Sequence, residues 1–193
     1  MLYDKPMSES VSLLDLYYDE DHEVLFDRLT ELSDSDEPVP IGDLMAILYE
    51  ADNLDVIIMV TETLVHRIDD VDNLLITDYY PNGNDVIKRH IITILTASMK
   101  SRYFQFLLDE YFKNPYMRPS IRSVAFTNKA VLLMNLVRYV ESLPLTPETV
   151  TVIQQILRTI PRDVVTKTGH VFGGTVLMDV YYAMPHSDWD SHS

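Results

Sequence analysis

Apolar residues recur along this chain at the spacing of an α-helix, and no stretch of useful length alternates as a half-buried strand would. Ile41, Leu44, Met45 and Leu48 stand at i, i+3, i+4 and i+7, and Ile57, Val60, Leu64, Val65 and Ile68 continue the pattern. Phe104, Leu107, Leu108 and Tyr111 repeat it, as do Val152, Ile153, Ile156, Leu157 and Ile160. Each set puts one apolar stripe on one helix face, so an all-α fold is expected. Between the stripes fall breaks at 34–38, 81–84, Asn114-Pro115 with Pro119, 143–147 and Pro161. Proline lacks the amide donor and Asn-Gly favours positive φ, so both interrupt helices. The segments left between them are mostly 10 to 16 residues long. Helices that short are marginal alone and must pack on neighbours. Thr146-Pro147-Glu148 predicts an N-cap followed by proline at the first helical position. The weakest helical segment is Asp163 to Thr168, where Val-Val-Thr could form a short strand.

A second regularity appears when Asp-Val-Ile at 55–57 is aligned with Asp-Val-Ile at 85–87, each following an apolar helix and a turn. Adding Asp21-His-Glu-Val24, Ser120-Ile-Arg122 and Asp163-Val-Val165 gives spacings of 34, 30, 35 and 43 residues, the range of helix-pair repeats. On these residues the chain resembles the HEAT and armadillo helical-repeat proteins over residues 11 to 185. The resemblance implies stacked antiparallel helix pairs in an α-α superhelix, a scaffold whose faces bind a protein, peptide or nucleic acid, and no catalytic residues to carry over. An irregular helical bundle is the alternative. Length favours one domain, taken as 1–185, with 186–193 as a disordered tail.

Charge divides the chain. Residues 1 to 80 carry 21 acidic side chains against Lys5, Arg28 and Arg67, a net of −18, whereas 81 to 193 carry nine acidic and 12 basic, a net of +3. The overall charge of −15 argues against phosphate-backbone binding by the surface as a whole. With no cysteine, disulfides, thiolate metal sites and cysteine nucleophiles are excluded. Met1-Leu-Tyr-Asp-Lys-Pro has neither the basic flank nor the apolar run of a secretory signal, and no apolar stretch approaches a membrane span. A soluble cytoplasmic protein is therefore expected.

Candidate chemistry is sparse. Gly169-His-Val-Phe-Gly-Gly-Thr175 is glycine-rich like a phosphate-binding P-loop, but Gly174 follows Gly173 where the essential lysine would be needed. The expected role of Gly173 and Gly174 is close packing or a bend. Among the histidines, Glu62, His66 and Asp69 lie at i, i+4 and i+7, yet a solvated polar face explains them, and the 186–192 segment offers at most a weak metal site. No nucleophile motif stands out. Basic residues gather at Lys88, Arg89, Lys100, Arg102, Lys113, Arg118, Arg122 and Lys129, of which Arg118, Arg122 and Lys129 would align on a single helix if Pro119 allowed one. The 12 tyrosines suit a binding surface or the rim of a small core equally.

These observations point to a non-enzymatic protein-protein interaction module, without cofactor, catalytic residues or bound metal. Its partner would be a basic protein or segment, held by Asp19, Glu20, Asp21, Glu23, Asp27 and Glu31, the densest part of the acidic half. The alternatives are a helical-repeat nucleic-acid binder using the 88–129 basic segment, and an enzyme whose site is not legible. A deep pocket placing His66 or His90 beside a carboxylate would favour the enzyme.

Overall fold

The computed structural model describes residues 11–19, 22–124, 126–169 and 171–185, so the expected tail at 186–193 lies outside the described residues. The protein is all-α, with 12 helices making up 76% of it and no strand among the described residues. No described helix is long and apolar enough to cross a membrane. The chain forms two compact units, Met1–Ser98 and Met99–Ser193.

Six helices build the first unit: α1 (Leu13–Tyr18), α2 (Glu23–Asp34), α3 (Ile41–Glu50), α4 (Leu54–His66), α5 (residues 68–82) and α6 (Asp85–Ala97). Helix α1 packs on α2 and α3, α2 on α4, α3 on α4, and α6 on α3, α4 and α5. The faces that meet overlap the predicted stripes without coinciding with them, since Ile41, Ile57 and Val65 are only half-buried. Leu44, Met45, Ile47 and Leu48 of α3 are buried, as are Val56, Val60, Thr63 and Leu64 of α4. Thr63 is polar and only 1% exposed; its hydroxyl lies 2.9 Å from the Met59 carbonyl and accepts from Ser33 at 3.2 Å, so no buried hydroxyl goes unpaired at the α2–α4 seam.

The paired Asp-Val-Ile segments have a local cause. Asn53 caps α4 by accepting from the Asp55 amide at 2.9 Å, and Asn84 caps α6 by accepting from the Ile87 amide at 3.0 Å. In both, an aspartate in the first turn faces the positive end of the helix dipole. Helix-start chemistry is enough to bring the two triplets to equivalent positions.

Helix α5 is irregular. It opens as an α-helix at Ile68–Leu74, widens to a π-turn at Leu75–Tyr79, and closes with one α-turn at Tyr80–Asn82. Its buried residues are Ile68, Val71, Leu75 and Tyr80. The first intervals are three and four residues, as an α-helix requires, but Leu75 and Tyr80 are five apart and would point about 140° away from each other on a regular helix. The wider turn, closed by the Tyr80 amide on the Leu75 carbonyl, returns Tyr80 to the core face. Gly83 follows with φ −75° and ψ 153°, so the Asn-Gly break is extended chain rather than the positive-φ turn expected there.

The second unit holds α7 (Phe104–Lys113), α8 (Arg118–Val124), α9 (Lys129–Val140), α10 (Pro147–Leu157), α11 (Arg162–Gly169) and α12 (Val176–Tyr182), with single 3-10 turns before α7 and α8. Helix α7 packs on α8 and α9, and α12 on α9 and α10. Thr146 caps α10 as predicted, accepting from the Thr149 amide at 3.2 Å. Two points left open by the sequence are decided. Segment 163–168 is helical, not a strand: Asp163 and Lys167 pair one turn apart at 3.2 Å, and Val165 fills the core. Helix α8 contains both Arg118 and Arg122 because Pro119 sits in its first turn, where a missing amide costs no hydrogen bond, but it ends at Val124 and Lys129 opens the next helix.

Candidate functional site

The unit boundary sharpens the charge division. Residues 1–98 carry 22 acidic and five basic side chains, a net of −17, and residues 99–193 a net of +2. Nearly all the excess charge belongs to one compact body.

Within it, Asp19 closes α1 and is exposed, and Glu23, Asp27 and Glu31 follow one another at four-residue spacing along the exposed face of α2, opposite buried Leu25, Leu29 and Leu32. Like charges at that spacing cost about 0.2–0.5 kcal/mol per pair. Glu20 and Asp21 lie outside the described residues. Arg28, on the same helix, donates to Glu31 at 3.2 Å and to Glu37, and both partners raise its affinity for its proton. Arg67 acts where charge counting does not look. Its guanidinium donates to the Leu32 carbonyl at 2.8 Å, to the Glu37 carbonyl at 2.8 Å and to Asp70 at 2.7 Å. One side chain therefore ties the end of α2 and the acidic 34–38 loop to the start of α5.

The acidic surface extends to the end of α3. Tyr18 donates its hydroxyl to Glu50, and that hydrogen bond raises its pKa; the Tyr17 phenol is raised by burial and by the negative charge of Asp52 and Glu50. Tyr17 also stacks on His22 at 6.0 Å between centroids, fixing the junction of α1 and α2.

On the same helix α3 lies a groove of about 480 Å³. One wall is Gly42, Met45, Ala46 and Tyr49; the other is Asp78, Tyr79 and Asn82 at the π-distorted end of α5, with Gly83 and Ile87 closing it. Gly83 has no room for a side chain, since a Cβ there would stand 2.7 Å from Ile87 Cγ2 and 2.7 Å from the Tyr79 carbonyl oxygen. The groove contains neither His66 nor His90. His90 is half-buried on α6, and that burial alone pushes its imidazole below the ordinary value. Glu62 and His66 are exposed on α4, while Asp69 belongs to α5, so the three do not share one helix. Among the described residues no three His, Asp or Glu side chains converge as a metal site would need.

The basic residues expected to act together are split: Lys88 and Arg89 belong to the first unit, the other six to the second. Arg118 lies over the Tyr111 ring at 5.6 Å and donates to the Tyr111 carbonyl at 2.8 Å. Burial raises the Tyr111 phenol, with Arg122 and Arg118 acting against it, and burial, then Arg122, lowers Lys129. The P-loop look-alike has another use. Gly174 has φ +82° in open space, which makes it a bend; the Thr175 hydroxyl donates to the Phe172 carbonyl, and Glu141 accepts from the Val176 amide at 3.0 Å where a phosphate would have to sit.

Sequence reasoning found the acidic helix but missed the groove. Its signals were Gly42 and Ala46 one turn apart on α3, small residues that leave a helix face open, and the five-residue interval between Leu75 and Tyr80. Neither a protein-family model, nor a curated protein, nor a solved structure matches this chain.

Proposed function

We propose that this protein is a non-enzymatic, cytoplasmic protein-interaction module of helical-repeat type that binds a basic protein or basic segment through the acidic surface of its first unit. The observation that carries the reading is the net charge of −17 on one compact body, with Asp19, Glu23 and Asp27 exposed on it. Concentrated like charge works against a compact state, and a cationic partner removes that penalty. Complementary charge would mainly speed association and suppress wrong partners, so binding weakens with salt. Helical-repeat stacking is supported by the packing of α1 on α3 and of α2 on α4.

The test replaces Asp19, Glu20, Asp21 and Glu23 by Asn or Gln, which keeps shapes and removes four charges. The partner recovered from the native cell by the wild type should bind this variant more slowly and more weakly at low salt. Equal rate and equal affinity would leave the segment as a solvated face.

A second reading, nucleic-acid binding, is favoured by Arg118 and Arg122 one turn apart on α8 and Lys129 at the start of α9. Retention of single- or double-stranded nucleic acid that falls steeply with salt, and that Arg122→Gln with Lys129→Gln abolishes, would decide for it.

A further inference from the structure

We propose, on the footing of the acidic interaction surface above, that the groove between α3 and the end of α5 receives one bulky apolar side chain from the basic segment that this surface recruits. Charge over a whole unit draws in any cation, whereas a groove of fixed shape selects among them. Three features of the groove point to such an anchor.

Its walls are kept open by sequence choices that ordinary helix packing does not need. Gly42 and Ala46 stand one turn apart on α3, and the Tyr79 hydroxyl would be 3.8 Å from a Cβ at position 42. Opposite them, the π-turn returns Tyr80 to the core and leaves Tyr79, its neighbour, on the groove. Single π-turns are uncommon and concentrate at functional sites.

The lining has the chemistry of an apolar receptor. Met45 supplies a polarizable, adaptable wall, and Tyr49 stands at the edge with 58% of its surface exposed, a large aromatic that its own fold leaves in water. At about 480 Å³ the groove lies in the range of binding pockets, about 300–1,000 Å³.

The surroundings fix the sign of what flanks the anchor. Asp78 is the only carboxylate among the described residues of the lining, Glu50 follows Tyr49, and Asp85 is exposed in the first turn of α6. The nearest cation in sequence to Ile87 is Lys88, and it lies over the Tyr80 ring at 5.7 Å. With a net charge of −17 on the unit, an anionic segment would be repelled and one carrying Lys or Arg on either side of the anchor attracted.

Two synthetic peptides rich in Lys and Ala, of equal length and charge, test this on the full-length protein; one carries a central Leu and the other a central Ala. Fluorescence anisotropy at low salt should show both binding and both weakening as salt rises, with the Leu peptide about tenfold tighter. In wild-type protein the Leu peptide, and not the Ala peptide, should shift the methyl resonances of Met45, Ala46 and Ile87. Ala46→Trp, folded by circular dichroism, should fill the groove and bring the Leu peptide down to the affinity of the Ala peptide. If the variant does not fold, the wild-type methyl shifts decide. Equal affinity of the two peptides with retained salt dependence, or shifts confined to other methyls, overturns the groove assignment and leaves the acidic surface standing. Absence of salt-dependent binding by either peptide overturns the acidic surface and the groove assignment with it.

Discussion

Replacing Gly83 by alanine sets two known effects against each other, and the structure decides the sign. At φ −75° and ψ 153° alanine is as comfortable as glycine, so stiffening the unfolded chain alone would stabilise the protein by about 0.4–1 kcal/mol. The added methyl, however, would stand 2.7 Å from Ile87 Cγ2, 3.1 Å from Ile87 Cβ and 2.7 Å from the Tyr79 carbonyl oxygen. Neither neighbour yields easily. Ile87 is 7% exposed and its amide is held by the Asn84 cap, and the Tyr79 oxygen is backbone inside the π-turn. Overpacking of this kind costs about 1–3 kcal/mol, so the net expectation is a loss of about 1–2 kcal/mol. Urea denaturation of the full-length protein, followed by circular dichroism, measures it. In an Ile87→Ala background the γ-carbon is gone and the loss should shrink, although the clash with the Tyr79 oxygen remains. Gly174→Ala is the contrasting case: nothing lies within 4 Å, but φ is +82°, so its cost of about 1–2 kcal/mol comes from backbone strain and no neighbouring truncation should relieve it. A neutral or stabilising Gly83→Ala would show that the α5–α6 corner opens freely and that the groove wall is not fixed.

Leu64 and Leu107 are 0% and 2% exposed on their stripes, so Leu64→Ala and Leu107→Ala should each cost about 2–5 kcal/mol, against well under about 1 kcal/mol for exposed Glu62→Ala; equal small effects in denaturant would mean that the stripes are not core. Arg67→Lys keeps the charge but cannot reach the Leu32 carbonyl, the Glu37 carbonyl and Asp70 together, so it should cost about 1–3 kcal/mol and speed amide exchange in the 34–38 loop; unchanged exchange there would refute the role of the guanidinium fork. Met99 sits at φ +54° just after α6 with 84% of its surface in water, where glycine is the natural residue, so Met99→Gly should stabilise by about 1 kcal/mol in the same titration, and a loss of stability would mean that the methionine side chain has a contact to lose.

The legible part of the fold is what period and capping encode. The stripes around Leu44, Leu64, Leu107 and Ile156 are buried, and Thr146, Asn53 and Asn84 cap the helices they precede. Segment 163–168, the weakest helical segment, is helical because Val164 and Val165 favour a strand only locally, and the packing of Val165 overrides that preference. The division after Ser98 is marked by no linker of proline, glycine or serine, and only the change in net charge falls near it. The acidic helix was readable from counts of charge. The groove was not, because it depends on an insertion of one residue in a helical turn, and a window tuned to 3.6 residues reads the Leu75 to Tyr80 interval as the end of a helix. Arg67 was invisible for a related reason: its partners are two backbone carbonyls, which carry no sequence identity.

Salt should act on this protein with opposite signs in folding and in binding, and the two slopes together test whether the acid is organised for a partner. Folding brings 22 carboxylates and five cations into one unit, so repulsion outweighs attraction in the native state more than in the expanded chain. Raising sodium chloride from about 0.01 M to about 0.15 M shortens the Debye length from about 30 Å to about 8 Å, which screens exposed carboxylates from one another along α2 while leaving neighbours one turn apart still coupled. The denaturation midpoint should therefore rise over that interval. The pairs of Arg28 with Glu31 and Glu37 oppose the trend, but they are exposed and few. Binding of a cationic peptide over the same interval should weaken, because the same screening removes the attraction. Neutralising Asp19, Glu23 and Asp27 should flatten both slopes at once if one cluster is responsible for both. Should the variant flatten only the folding slope, these carboxylates burden the native state without meeting the peptide, and the binding surface of the first unit must then be sought among its other acids, beginning with Glu50, Asp52 and Asp78.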